Sequence, residues 1–396
     1  MPLWSCALPR PPVPSPKLLR ALAPILAAML SQPSHAGPIV ARGLRETRAF
    51  GSKERPVAGD LLLGLIRHER ALARIDPDPL AAWLRLAAEG PPDLPDPDDA
   101  YAIALSVPDA LAREWWDRLG PDAAVAFAQR LAGRAPVVLR VLREPVDLPV
   151  PHRRVGAHGL VLLGRANVNL LDAWRDGRVE VQDLGSQDIV EFAASTLLGR
   201  GGNAPPQRPP AIAAFPPRGG TDAHADVLAE GARPPDQADA PPTDLAGATI
   251  LDLCAGAGGK SLALAALGAK VQAWDVRPDA LVELRKRAAR AGLDIRVGPP
   301  SGRYDLVLVD APCSGTGVLR RHPENRWKLR YPTDLQARLL ADARRMAGVV
   351  VYATCSLTRA ENESLVRAVA GEPLREATVW PDEDREGFYM AEVAGA

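Results

Sequence analysis

Two cysteines, Cys313 in YDLVLVDAPCSGTG and Cys355 in GVVVYATCSLT, stand 42 residues apart in the last third of a 396-residue chain. Each follows an apolar run of strand type. A glycine-rich turn, ILDLCAGAGGKS from Ile250 to Ser261, follows another such run upstream. Thiolates are soft, strong nucleophiles, and a glycine turn that opens a helix lets a nucleotide-bearing ligand approach the backbone. Together they predict covalent catalysis beside a cofactor pocket. Taken alone, a cysteine is as well explained as a small buried hydrophobe. That bland reading holds for Cys254, which sits inside the turn with no acid beside it. It fits Cys313 and Cys355 poorly, since both lie in loops of Ser, Thr and Gly.

Carbon 5 of a pyrimidine accepts a methyl group only after the ring is activated. A thiolate added to carbon 6 makes an enamine-like ring; a base later removes the carbon 5 proton and the thiolate departs. Asp310, Cys313 and Cys355 at neighbouring strand ends are the parts such a site requires. In the turn, Gly256, Gly258 and Gly259 have the spacing GxGG, without the sixth-position glycine of the dinucleotide fingerprint, although a lone glycine turn could equally serve NAD. Asp252, before the glycines, suits a cofactor with an ammonium group such as S-adenosylmethionine. Asp275 is placed for both ribose hydroxyls, or as an N-cap ahead of Pro278. After Cys313 the chain is basic: Arg320, Arg321, Arg326, Lys328 and Arg330 interleave with His322, Trp327 and Tyr331. Charge among aromatics predicts RNA contact, phosphate neutralisation plus base stacking.

These segments need elements to hold them. From residue 248 the pattern alternates strand, turn and helix, which predicts a parallel sheet with helices on both faces and ligands at the strand carboxyl ends. Helical periodicity runs from residue 18 to about 130, and short strands follow at 137–142, 159–163 and 179–182. Residues 200–247 are dense in proline and poor in large apolar side chains, so an uncored insertion is expected. Leu18 to Leu30 resembles a signal segment in apolarity, but it is too short to span a bilayer and reads as the first buried helix. Lys and Arg number 48 and Asp and Glu also 48, so nucleic-acid affinity must come from local patches rather than a global field. The four cysteines show no metal-ligand spacing; no metal and no disulfide framework are expected, and reduced thiols point to the cytoplasm.

DAPCSGTGVLRRHPENRW (310–327) and YATCSLTRAENE (352–363) resemble the Sun/RsmB-type RNA (cytosine-5)-methyltransferases, as do VEVQDLGSQ (179–187) and GFYMAEV (387–393). FGSKERPVAGDLLLGLIRH (50–68) resembles the NusB-like helical domain of the bacterial ribosomal RNA branch. The resemblance implies a class I, Rossmann-like α/β methyltransferase domain at 248–396. Before it would come an all-α NusB-like RNA-binding domain at 1–105, a small α+β module at 106–199 and the insertion at 200–247. It implies methylation of carbon 5 of a cytosine in RNA, 16S ribosomal RNA first, with S-adenosyl-L-methionine as cofactor and a monomer that needs no membrane. By the same resemblance Cys355 is the nucleophile, Cys313 assists release, and Asp310 and Lys260 hold the base. The cofactor would lie on Leu253, Cys254, Ala255, Gly256, Ala257, Gly258, Gly259, Lys260, Asp275, Arg277 and Asp310. Arg320, Arg321, His322, Arg326 and Trp327 would meet the RNA. Two alternatives remain, an inactive RNA-binding assembly factor and a transfer RNA cytosine-5 methyltransferase. The chain departs from the family pattern at Ala257, where proline is usual, and in the short connection GPPSGR (298–303).

Overall fold

A computed structural model describes residues 11, 13–47, 50–51, 54–90, 99–164, 166–199, 244–327 and 330–396. Cys6, Lys328, residues 91–98 and nearly all of the 200–247 insertion lie outside the described residues. The chain divides into two units. One comprises Met1–Val137, Val309–Asp342 and Tyr352–Ala394; the other comprises Val138–Leu308, Ala343–Val351 and Gly395–Ala396.

The first unit opens with helices whose ends are written locally. Ser15 caps the helix Pro16–Ser31 by accepting from Leu18 N, and the helix runs through Pro24. Asp78 caps Pro79–Glu89 by accepting from Leu80 N and Ala81 N, while Gly90 ends that helix at φ 85°. The helical run extends past residue 105 through Asp109–Leu119 and Pro121–Ala132. A division at 105/106 is therefore displaced: one apolar core takes Leu18, Leu62 and Leu86 together with Leu111, Trp115 and Leu131. Leu319 and Leu357, from the two cysteine segments, belong to that same core.

The second unit begins with a four-stranded antiparallel sheet in the order β2-β3-β1-β4, built from β1 (Val138–Val141), β2 (His152–Val155), β3 (Gly159–Leu162) and β4 (Val179–Val181). The strand at 152–155 and the helix Leu184–Leu198 have no counterpart in the sequence reading. Next comes the parallel alternation: β5 (Thr249–Asp252), helix Gly259–Ala266, β6 (Lys270–Ala273), helix Pro278–Ala291, β7 (Ile295–Val297) and β8 (Leu306–Asp310). Here β5 pairs in parallel with both β6 and β8, and β6 with β7. The strands β8 and β9 (Val349–Thr354) continue into the first unit, where the order is β10-β11-β9-β8 and β10 (Arg375–Val379) pairs antiparallel with β11 (Phe388–Ala394). The expected Rossmann-like class is what the chain forms. Every residue of β9 is buried, as a central strand of a doubly covered sheet requires. Among the described residues no helix is long and apolar enough to cross a membrane.

Candidate active site

The first unit carries the thiols. Cys313 follows β8 by three residues and Cys355 follows β9 directly, and their sulfurs lie 3.3 Å apart. The close approach depends on a shared backbone seam. Gly317 N donates to Cys355 O at 2.8 Å and Gly387 N donates to Gly317 O at 2.8 Å. A Cβ on Gly317 would run into Gly387 O and Cys355 O, so only glycine lets the three backbones pass. The hydrogen bond with Cys355, burial, and the charges of Cys355 and Glu361 push the Cys313 thiol well above its ordinary range. Cys313 therefore holds its proton to higher pH than an ordinary cysteine thiol does.

Beneath the thiols lies a buried carboxylate that the motif reading passed over. Glu361 is fully buried. It accepts from Ser314 N (2.9 Å), Ser314 Oγ (2.5 Å), Ser356 Oγ (2.6 Å), Thr358 Oγ1 (3.2 Å) and Gln336 Nε2 (3.0 Å). The spacing Thr358-x-x-Glu361 before a helix has the form of a capping box. The side chain turns to the cysteine loops instead, and the helix begins at Glu363 with no side-chain cap. On its other side the Cys355 loop rests on the helical core: Trp115 Nε1 and Arg118 Nη1 each donate to Leu357 O at 3.1 Å.

The basic segment turns inward at two of the positions expected to meet RNA. Arg320 is buried, pairs with buried Glu386 at 3.2 Å and donates to Asp382 O and Arg385 O. Arg326 is buried and donates to Ile66 O (2.8 Å) and to Arg67 O. Neither reaches solvent; their guanidinium forks satisfy carbonyls that folding would otherwise leave buried without donors. Arg321 is half-buried and donates to Pro136 O at 2.9 Å. Trp327 packs one face on the helical core. His322 is the most exposed of these five, at 57%, with its Nδ1 3.4 Å from Glu324 Oε1, and Arg330 further along the segment is exposed as well.

The second unit carries the glycine turn. Gly256 and Gly258 adopt φ 54° and 85°, and a Cβ on Gly258 would lie 2.6 Å from the Leu284 side chain, so the turn needs glycine there. Ala257, at the position where the resemblance expects proline, is anchored differently: Arg287 Nη1 donates to Ala257 O at 2.8 Å. Arg287 is itself held by buried Glu180 of β4 at 2.9 Å, and Glu180 also pairs with Arg290. Asp252 is buried and its Oδ2 accepts from Ser261 Oγ at 2.6 Å, which ties the end of β5 to the first turn of the following helix. Lys260 is buried in that helix's first turn.

Asp275 caps no helix; Arg277 occupies the N-cap position without a side-chain hydrogen bond. The Asp275 carboxylate accepts from Gly256 N (2.9 Å), Arg277 N (2.9 Å) and the Arg277 guanidinium (3.0 Å). Burial raises its pKa, but the bonds from Arg277 and Gly256 outweigh burial and hold the carboxyl below its usual range. The GPPSGR connection is short but pinned: Gln272 Nε2 donates to Pro299 O at 2.6 Å, and Ser301 N donates to Tyr304 Oη at 2.8 Å. Glu361, Arg287 and Gln272 are the contributors that sequence reading missed. Nothing local marks a helix arginine or a strand glutamine as the brace of a distant turn.

Residues 243–373 match the family described as 16S rRNA methyltransferase RsmB/F. The ribosomal RNA small subunit methyltransferase B of Thermus thermophilus is 32% identical over 284 residues, which cover 67% of this chain and 55% of that protein. The chain thus matches about half the length of that relative, and 42% of its counterpart from Serratia proteamaculans. The crystal structure of PH0851 has the same fold at 18% identity, with a TM-score of 0.64 over 96% of this chain and 99% of that one.

Proposed function

We propose, from the match of residues 243–373 to the RsmB/F methyltransferase family, that the chain methylates carbon 5 of a cytosine in RNA through a cysteine adduct. The relatives are named for the small-subunit ribosomal RNA, which makes 16S RNA the first substrate to test. One observation supports the chemistry above the others: two thiols 3.3 Å apart, with Cys313 pushed up. A structural role for sulfur requires no such pair, whereas addition followed by elimination requires two groups acting in turn at one ring.

Cys355, as thiolate, adds to carbon 6, and the displaced electron pair activates carbon 5. S-adenosyl-L-methionine, when bound, supplies the electrophilic methyl group. Carbon 5 must then lose its proton so that the ring double bond re-forms and Cys355 leaves. The hydrogen bond and charge that hold the Cys313 proton on come first from Cys355. Once Cys355 is bonded to carbon that contribution vanishes, the Cys313 thiol can release its own proton to solvent, and the resulting thiolate is a base for the carbon 5 proton at the step that needs one. Asp310 and Lys260 are assigned to holding the base.

The glycine turn fits the cofactor. Gly256 and Gly259 are half-buried and leave room for close approach, while buried Gly258 packs on Leu284; Leu253, Cys254, Ala255, Ala257 and Lys260 complete the segment. Asp275 is charged, and Val276 beside it is 84% exposed, offering an apolar edge to a flat ring. Two ribose hydroxyls on Asp275 would take the place of the exposed Arg277 guanidinium. The test is incubation of the full chain with ribosomal RNA and methyl-labelled cofactor, followed by nucleoside analysis. Labelled 5-methylcytosine that depends on Cys355 is expected; its absence from every stable RNA overturns the reading.

A further inference from the structure

We propose that Glu361 is a positioning residue for this reaction: its carboxylate clamps the Cys313 loop and the Cys355 loop to each other, so that the two sulfurs work in turn on one base. The inference rests on the two-thiol reading above. Its substance is geometric. Ser314 is the residue after Cys313, Ser356 is the residue after Cys355, and both hydroxyls end on Glu361 Oε2. Ser314 also gives its backbone N–H to Oε1, so Glu361 holds the Cys313 loop by main chain as well as side chain.

The rest of the cluster leaves little freedom. Gln336, on the helix Thr333–Met346, donates both to Glu361 Oε1 (3.0 Å) and to Pro312 O (2.9 Å), which reaches the residue before Cys313. Thr316 Oγ1 meets Ser356 Oγ at 3.2 Å and accepts from Leu357 N at 2.9 Å. Tyr352 Oη donates to Glu361 O at 2.8 Å, tying the backbone of residue 361 to β9. All five groups that meet the side chain donate to it, and a carboxylate is the acceptor-only group such a set fits. Ser314, Thr316, Ser356 and Thr358 are themselves buried, so the cluster has no solvent to substitute for a missing partner.

A fixed anion there does more than hold. Its charge is among the influences that push the Cys313 thiol up, so it helps to keep that proton in place until Cys355 is consumed. A carboxylate that served folding alone, with no effect at the thiols, would leave both the ionisation and the alkylation rate of Cys313 unchanged when an isostere that folds replaces it. A positioning residue would not.

The experiment measures alkylation of each cysteine by iodoacetamide against pH, read by peptide mass spectrometry on the full chain without RNA or cofactor. Its outcome is thus independent of whether methyl transfer is ever seen. In the parent protein Cys313 should alkylate about tenfold more slowly than Cys355 at pH 8. In Glu361→Gln the Cys313 midpoint should fall and the gap between the two rates should narrow, though the Cys355 hydrogen bond and burial still hold the Cys313 thiol up. A narrowed gap with a lowered Cys313 midpoint supports the proposal; an unchanged Cys313 midpoint in a folded variant overturns it. If Glu361→Gln melts below the assay temperature, Ser314→Ala removes one donor and retains the charge. A roughly threefold rise in Cys313 alkylation is then expected from the loosened loop, and an unaltered rate overturns the clamp.

Discussion

Cys313 and Cys355 meet sulfur to sulfur at 3.3 Å, although one follows β8 and the other follows β9 with 42 residues between them. The two loops are locked by Gly317, whose N–H is given to Cys355 O. A pair held in this way should divide its labour, and the division can be read from single substitutions. Cys355→Ala should abolish methyl transfer, by more than about a thousandfold, because no other group opens carbon 6. Cys313→Ala should still form the adduct and fail to release it, leaving RNA bound to protein through denaturation. Denaturing gels of both variants with labelled RNA decide the assignment, and an exchange of the two outcomes reverses it.

Arg287 supports the glycine turn from a helix, donating to Ala257 O while Glu180 holds its other edge. Arg287→Ala should free the Ala257 carbonyl and leave buried Glu180 to Arg290 alone. A lost charged hydrogen bond of this kind corresponds to a fall in cofactor affinity of about tenfold, about 1.4 kcal/mol. Titration calorimetry with S-adenosylmethionine measures it, and an affinity equal to the parent's would show that the turn holds itself.

Buried Arg326 makes an opposite pair of expectations for RNA binding and for stability. Arg326→Ala leaves the Ile66 and Arg67 carbonyls without their donor and should cost about 1–3 kcal/mol of stability. RNA affinity of the folded variant should change little, since the side chain never reached solvent. His322→Ala, at an exposed position, should do the reverse. Thermal melting and filter binding at one fixed salt concentration separate the two.

His68 is 1% exposed and stands beside Arg67 and Arg326. Burial, then the two arginines, hold its pKa well below the ordinary 6.5, so the folded protein keeps the ring neutral while the unfolded chain protonates it. The unfolded state therefore binds more protons below about pH 6.5, and stability falls as pH drops through that value. The melting temperature should decline between pH 7 and pH 5, and His68→Phe should flatten that slope. An equal slope in the variant would place the acid sensitivity elsewhere.

Much of this protein is legible without coordinates because it is local. The helices Pro278–Ala291 and Thr333–Met346 belong to the strand-and-helix alternation that begins at residue 248, and Pro278 opens the first. The cysteines past their strands follow from apolar runs, LVLV before Asp310 and VVVYA before Thr354. Chemistry that depends on residue type at a strand end, a thiol or a glycine turn, can be read in the same way.

What sequence alone left open is direction. Arg320 and Arg326 look like an RNA-facing cluster by charge and aromatic neighbours, yet charge does not say which way a side chain points. Packing decided it, because buried carbonyls at Ile66 and Arg67 and the buried carboxylate of Glu386 needed those donors. Glu361 is hidden for the same reason: its five donors come from segments up to 47 residues away and meet only when β8, β9 and the helix Thr333–Met346 are assembled. The residue types at Cys313 and Cys355 named the chemistry. Tertiary structure brought the two sulfurs within 3.3 Å and set a buried carboxylate beneath them, because long-range hydrogen bonds and a shared core decide which local signals meet.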